Sequence, residues 1–159
     1  MLTKGIRFKN FKIRAKSQEV RRKFKFLIKE NNEILKSLSK NYKNSFSKNF
    51  TLKFKKFHNF RVVGLGGSTL GSQAIYQFLS EKIKKNFKFI DNLQPLINKD
   101  TKKKYVNLII SKSGNTIETI ANTNILLNKK DNNIFLTEAK NSYLFLLAKK
   151  LKSEIIHHN

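Results

Sequence analysis

The sequence of 159 residues has no cysteine, a single proline and only 10 acidic residues. Without cysteine, the chain forms no disulfide and holds no metal through thiolates. No apolar run approaches the ~18 residues that a membrane-spanning helix requires, and the basic amino terminus lacks the apolar stretch of a signal peptide. These absences predict a soluble, cytoplasmic protein.

The few acids stand beside 34 lysines and arginines, which gives a formal net charge of +24. Such an excess indicates an anionic partner, either nucleic acid, acidic lipid or a phosphorylated metabolite. Basic residues occur throughout the chain, so the charge alone defines no binding face. Hydrophobic residues make up 39% of the chain and include 14 phenylalanines, which is enough for the core of one ordinary domain.

Two glycine- and hydroxyl-rich turns are the most informative feature of the sequence. The first, at residues 64–71, follows the apolar run 60–63, and the second, at 111–116, follows the apolar run 105–110. Each turn precedes a stretch with helical periodicity. The N-terminus of a helix offers unpaired N–H groups and about half a positive charge, which makes it a natural phosphate site. Serine and threonine hydroxyls add donors, and Lys112 adds a cation.

Hydrophobic periodicity predicts alternating strands and helices from residue 60 onward. Strands are predicted at 60–65, 87–91, 105–110, 133–137 and 154–156. Helices are predicted at 69–85, 116–128 and 141–151, and the apolar face of the first carries Ile75, Phe78, Leu79 and Ile83. This order indicates an α/β fold, a doubly wound parallel sheet with helices on both faces. Both turns then lie at the carboxyl edge of the sheet, where ligands bind in such folds.

The amino-terminal part is basic and less regular. In residues 1–16, apolar residues alternate with polar ones, which suits an edge strand or hairpin. Apolar residues spaced three and four apart predict a helix near 18–40, with Ser17 at its N-cap. Residues 41–57 show no clear period and are interpreted as a connector. Lysines alternate with Phe24 and its neighbours, a pattern that can stack on nucleic-acid bases. The helical spacing favours Phe24 on a buried face with the lysines in solvent.

Other interpretations of the turns stay open. The spacing Gly64-x-Gly66-x-x-Thr69, with Asp91 at the end of the next strand, is one residue away from a dinucleotide-binding fingerprint. That interpretation leaves the second turn unexplained. A nucleoside-triphosphate loop fits less well, because Ser72-Gln73 stands where that motif needs Lys followed by Ser or Thr. Tight glycine packing in the first turn and ordinary N-capping by a hydroxyl of the second would require no ligand.

The stretches 62–71 (VVGLGGSTLG) and 110–119 (ISKSGNTIET) resemble the two amino-terminal motifs of the glucose-6-phosphate isomerase family. The resemblance covers roughly residues 55–159 and implies a sugar isomerase (SIS) domain with a flavodoxin-like sheet of about five strands. The basic segment 1–54 would precede it as an extension.

The resemblance also implies roles for individual residues. Gly67 and Ser68 would contact a sugar phosphate, and Glu118 would lie at the edge of the active site. The residues that would cradle the phosphate are Ser111, Lys112, Ser113 and Thr116. Gly114 and Asn115 would shape the loop between them.

Members of the family have a second SIS domain, and their catalytic glutamate, histidine and lysine lie downstream of the resembling region. A Gly-Gly-Arg-x-Ser motif also comes later. We therefore interpret this chain as the first half, or a fragment, of an enzyme that interconverts glucose 6-phosphate and fructose 6-phosphate in glycolysis and gluconeogenesis. We assign it no catalytic residue, metal or cofactor, and we expect little or no activity from it alone.

The implied partners are the sugar phosphate, the carboxy-terminal SIS half and, in the complete enzyme, a second copy in a homodimer. We expect no membrane and no nucleic acid. Half of a two-domain enzyme is also expected to expose apolar surface that its partner domain covers.

Acids and histidines supply no convincing pair for proton transfer between sugar carbons. The acids near predicted strand ends are Asp91, Glu118 and Glu138, and we interpret them as helix-start or surface residues. His58 precedes the first strand, at the opposite edge of the sheet. His157 and His158 are interpreted as a solvated tail.

Two other functions stay open on the sequence alone. One is a stand-alone SIS-type module that binds a sugar phosphate for regulation. The other is a basic nucleic-acid-binding protein, which steeply salt-dependent DNA retention, unaffected by sugar phosphate, would favour.

Overall fold

The computed structural model describes residues 18–30, 32–37, 41–43, 45–93, 103–128, 131–138 and 140–157. The chain divides into two compact units, Met1–Lys43 and Asn44–Asn159. The sequence-based boundary at residue 54 and the SIS domain at 55–159 stay predictions. Four other features lie outside the described residues, namely the strand or hairpin at 1–16, the Ser17 cap, His158, and the loop predicted between the strands 87–91 and 105–110, which holds the single proline, Pro95.

The described residues of the first unit form two helices where the sequence predicted one over 18–40. Helix α1 spans Gln18–Lys29 and α2 spans Glu33–Ser37. The chain leaves α1 in a tight turn, in which the Glu30 N–H donates to the Leu27 carbonyl, and an Asn, a poor helix former, follows at position 32. Helix α1 has no buried residue, and Phe24 is 59% exposed. The prediction that Phe24 is buried is wrong, because the described part of its unit supplies no core to cover it.

The second unit is an α/β sandwich. Its elements are α3 Lys48–Leu52, β1 Asn59–Val63, α4 Gly67–Phe78, β2 Asn86–Ile90, β3 Tyr105–Ile110, α5 Ile117–Leu126, β4 Asn132–Thr137, α6 Tyr143–Lys150 and β5 Glu154–His157. Within the described ranges the strands form a five-stranded sheet of order β2-β1-β3-β4-β5, and every neighbouring pair is parallel. This is the flavodoxin-like order, so the predicted fold class is confirmed.

One face of the sheet is aromatic. Because successive strand residues point to opposite faces, Phe60 of β1 and its register partner Phe87 of β2 share this face, and their rings stack 5.0 Å apart. Tyr76 of α4 contacts Phe87 at 5.2 Å between ring centroids. Phe50 and Phe54, four residues apart, cover the same cluster. Large aromatic rings thus attach both α3 and α4 to the sheet.

The other face of the sheet is covered by α5 and α6. Ile109 and Phe135 lie opposite each other on β3 and β4 and are at most 1% exposed. Leu144 and Ala148, four residues apart on α6, pack against them. Each buried large side chain contributes about 1.5–3 kcal/mol to folding, so this cluster fixes α6 and the loop before it.

The connector predicted at 41–57 is wrong in its middle, where α3 forms. The Ser47 hydroxyl caps the helix by accepting a hydrogen bond from the Phe50 N–H at 3.2 Å. A serine cap followed by aromatics at helical spacing was the available signal, but one turn is too short to show a period.

The helix predicted at 69–85 ends early, at Phe78, and begins at Gly67. Its predicted apolar face is wrong in part, because Ile75 and Phe78 are 61% and 78% exposed, whereas Leu79 and Ile83 are half-buried. Tyr76 faces the sheet instead, towards Phe87 and Phe89. Helix α4 lies beside the edge strand β2, so only one side of it meets the sheet.

The strands agree with the predicted ranges to within two residues at each end. His157 is not part of a solvated tail, because it ends β5 opposite Thr137, with its ring 6.1 Å from that of Phe145. None of the helices in the described ranges has the length and apolarity needed to cross a membrane.

Candidate phosphate-binding site

The two glycine-rich turns lie side by side because β1 and β3 are neighbours. Gly64 follows β1 directly, and a Cβ atom at this position would be 2.9 Å from the Ile110 carbonyl oxygen and 3.0 Å from Cγ2 of Thr69. Only glycine permits this approach without a shift of backbone. The first turn therefore lies against the end of β3, where the second turn begins.

The second turn is held in place by the start of α6. The Gly114 carbonyl accepts a hydrogen bond from the Leu144 N–H at 3.0 Å, and Oδ1 of Asn115 accepts one from the Tyr143 N–H at 2.9 Å. Gly114 has φ +65°, and a Cβ there would be 2.0 Å from the Ser142 hydroxyl. Gly114 and Asn115 therefore set the shape of the loop.

Three hydroxyls of the second turn form a cluster. The Ser111 hydroxyl is 3.0 Å from that of Thr116 and accepts a hydrogen bond from the Gly114 N–H at 3.1 Å. The Ser113 hydroxyl is 3.5 Å from that of Thr116 and accepts from the Asn115 N–H at 3.2 Å. Thr116 occupies the N-cap position of α5 but makes no side-chain cap hydrogen bond. Neither Ser113 nor Thr116 therefore caps the helix in the ordinary way.

An open cavity of about 420 Å³ lies where the turns meet. Its lining residues are Ser68, Lys112, Ser113, Thr116 and Glu138. The Lys112 ammonium is 3.6 Å from Oε2 of Glu138, and both side chains are more than half exposed. The start of α5 adds the positive end of its dipole, and the N-cap residue Thr116 makes no side-chain cap hydrogen bond there.

The structure thus brings together part of the predicted set. Ser68, Lys112, Ser113 and Thr116 share the cavity, and the buried Ser111 lies behind Thr116. Glu118 is half-buried in the first turn of α5. The other three predicted residues do not line this cavity; they are Gly67, Gly114 and Asn115.

Glu138 is the residue that sequence reasoning placed nearby but did not assign to the site. It comes directly after β4, and β4 pairs with β3, the strand that leads into the Ser111 loop. Adjacent parallel strands end at the same edge, so its position was readable from the predicted strand order. Its pairing with Lys112 was not.

Comparison with known proteins gives a partial match. Over 90 residues, 50% of this chain, it is 39% identical to the glucose-6-phosphate isomerase of Borrelia garinii subsp. bavariensis, and the match spans 17% of that enzyme. Over 131 residues, 74% of this chain, it is 37% identical to a probable glucose-6-phosphate isomerase of Methanococcus maripaludis, of which the match spans 27%. The chain resembles glucose-6-phosphate isomerase over about half of its length. The predicted resemblance is confirmed.

A solved structure shares the fold of the second unit. The crystal structure of a tagatose-6-phosphate ketose/aldose isomerase from Escherichia coli superimposes with a TM-score of 0.56 at 15% identity, and the match covers 69% of this chain and 32% of the other. At that identity the match concerns the fold alone. No protein-family model matches the chain.

Proposed function

We propose that this chain binds the phosphate group of glucose 6-phosphate or fructose 6-phosphate and serves as the phosphate-binding part of a glucose-6-phosphate isomerase. The observation that carries the proposal is the convergence of Ser68, Lys112, Ser113 and Thr116 on one cavity beside the start of α5. The sequence similarity to glucose-6-phosphate isomerases supports the choice of ligand. The role in glycolysis and gluconeogenesis and the cytoplasmic location follow from the same proposal.

The phosphate is held by donors of three kinds. The N–H groups in the first turn of α5 point towards the anion, and their dipoles favour its negative charge. The hydroxyls of Ser68, Ser113 and Thr116 donate to phosphate oxygens, and the Lys112 ammonium supplies a full positive charge. The buried Ser111 hydroxyl keeps the Thr116 hydroxyl oriented. The site is preorganised, because Gly114 and Asn115 fix the loop on α6 before the ligand arrives.

Proton transfer between C1 and C2 of the sugar needs a base within about 3 Å of the proton. We infer that this base comes from elsewhere in a longer polypeptide or a partner chain, such as the second SIS half or a second copy. The acid on this cavity, Glu138, is paired with Lys112, and the proposal assigns that lysine to the phosphate. The described residues that line the cavity therefore leave no acid and base for proton transfer. A coupled isomerase assay on this chain alone should therefore show little or no turnover.

The proposal is tested by calorimetric titration with fructose 6-phosphate. The titration is done on the full chain and repeated on its Thr116→Val variant. Valine keeps the shape of threonine and removes the hydroxyl, so we expect about tenfold weaker binding, the effect of one lost hydrogen bond to a charged group. The matched control is Thr51→Val, since the Thr51 hydroxyl donates to the Lys48 carbonyl within α3 and does not line the cavity. Wild-type affinity in the Thr116 variant, or equal weakening in the control, would contradict the proposal.

A further inference from the structure

Glu138 is an unexpected neighbour for a phosphate site. Among the described residues that line the cavity, Lys112 carries the positive charge and Glu138 a negative one, so the two cancel. The chain as a whole has a net charge of +24, so the balanced charge of this cavity contrasts with the basic character of the sequence. Glu118 adds a second carboxylate in the first turn of α5, two residues after the cavity-lining Thr116. These charges weaken the attraction that the cavity exerts on inorganic phosphate.

The backbone fixes Glu138 firmly beside the loop. Its N–H donates to the Lys112 carbonyl at 3.1 Å, and the Thr137 hydroxyl donates to the same carbonyl at 3.4 Å. The end of β4 is therefore attached to the second turn at the residue that carries the ammonium group. The side-chain pair itself is exposed, and exposed ion pairs are weak, so Lys112 can turn from the carboxylate to a ligand.

An ionised carboxylate only accepts hydrogen bonds, and sugar hydroxyls donate them. A ligand that carries both a phosphate and hydroxyls can therefore satisfy both halves of the cavity: the phosphate binds Lys112, Ser113 and Thr116, and a hydroxyl binds the carboxylate of Glu138. The cavity, at about 420 Å³, has room for both groups. The charge of Glu138 repels the phosphate group of either ligand, but only the sugar phosphate brings sugar hydroxyls whose hydrogen bonds to the carboxylate offset that repulsion.

We propose that Glu138 is a specificity residue, which selects sugar phosphates over inorganic phosphate by accepting a hydrogen bond from a sugar hydroxyl and repelling bare anions. This inference rests on the proposed function, because it assumes that the cavity binds a phosphate group. The residue acts in recognition and is given no part in proton transfer.

The test is a pair of calorimetric titrations of the full chain, one with inorganic phosphate and one with fructose 6-phosphate, repeated with Glu138→Gln. Glutamine keeps the shape and removes the charge, so phosphate should bind about three- to tenfold more tightly, since a unit charge a few ångströms away is removed. Fructose 6-phosphate should bind no more tightly than to wild type. The dissociation constant for inorganic phosphate, divided by that for fructose 6-phosphate, should therefore be at least threefold lower in the variant than in wild type.

The matched control is Glu154→Gln. Glu154 forms an exposed pair with Lys53 at 2.8 Å, but it begins β5 and so lies at the opposite edge of the sheet. An unchanged ratio in the Glu138 variant, or the same fall in the control, would overturn the specificity role and leave the proposed function standing. Failure of the wild-type chain to bind either ligand would overturn both.

Discussion

At the scale of single residues, Gly114 allows the backbone of the second turn to adopt its observed conformation. Its φ of +65° is a conformation that costs other residues about 1–2 kcal/mol, and its missing side chain leaves room for Ser142. The sequence located this glycine within a phosphate-like turn, but it did not reveal that the turn rests on α6. That contact joins residues far apart in the chain and depends on the packing of β3 against β4.

We expect Gly114→Ala to lower the free energy of unfolding by about 2–4 kcal/mol, from backbone strain together with overpacking against Ser142. Chemical denaturation followed by circular dichroism measures this change. Gly71→Ala is the matched control, because a Cβ there meets nothing within 4 Å, and alanine favours the helix by about 0.5–1 kcal/mol. Equal stability of the two variants would contradict this account of the loop.

At the scale of elements, a buried polar row crosses the central strands near their amino ends. Arg61 of β1 donates to Oδ1 of Asn107 on β3 at 3.2 Å, and the Asn107 amide donates to Oδ1 of Asn133 on β4 at 2.8 Å. The Arg61 guanidinium also lies 4.1 Å from the centre of the Tyr105 ring. Apolar patterning predicted these strands but not the row, because a polar residue within a strand gives no sign of its cross-strand partner.

Substitution of Asn107, the middle residue of this row, should destabilise the fold. We expect Asn107→Ala to lower the free energy of unfolding by about 3 kcal/mol, because it leaves the buried Arg61 and Asn133 with unsatisfied groups. The comparable exposed pair is Asn86 with Asn59, across β2 and β1, and Asn86→Ala should change stability by at most about 0.5 kcal/mol. Urea denaturation of both variants makes the comparison. A similarly small decrease in the free energy of unfolding of both variants would show that the polar row contributes little to stability.

The strands were predictable because they are rich in apolar residues and bounded by turn residues, even though Arg61 and Asn107 interrupt two of the runs. The helices were less so, because α3 is one turn long and α4 leaves Ile75 and Phe78 in solvent. For α4 the position beside the edge strand decided which side faces the sheet, and that position is a property of the whole fold.

At the scale of the whole molecule, the described part of the second unit exposes apolar surface on α4 and in an open cavity, among other positions. Helix α4 carries Leu70, Ile75 and Phe78, each more than half exposed. An open apolar cavity of about 460 Å³ lies between α3 and the aromatic face of the sheet, bordered by Phe50 and Leu136 among others. The sequence-based expectation of exposed apolar surface agrees with this arrangement. The second SIS half that would cover it stays a prediction.

The candidate site illustrates how far sequence reasoning reaches. The two motifs identified Ser68, Lys112, Ser113 and Thr116, and the strand order placed their loops at one edge. The carboxylate of Glu138 belongs to a third loop with no motif of its own, so only the folded sheet brings it to Lys112.

The central claim is that a sugar phosphate binds where the two turns meet, and it is tested most directly by NMR titration of the ¹⁵N-labelled full chain with fructose 6-phosphate. We predict saturable shifts of amide signals confined to residues 67–69, 111–119 and 138. Unchanged signals in these stretches, or non-saturating shifts spread over the many exposed lysines, would contradict the account.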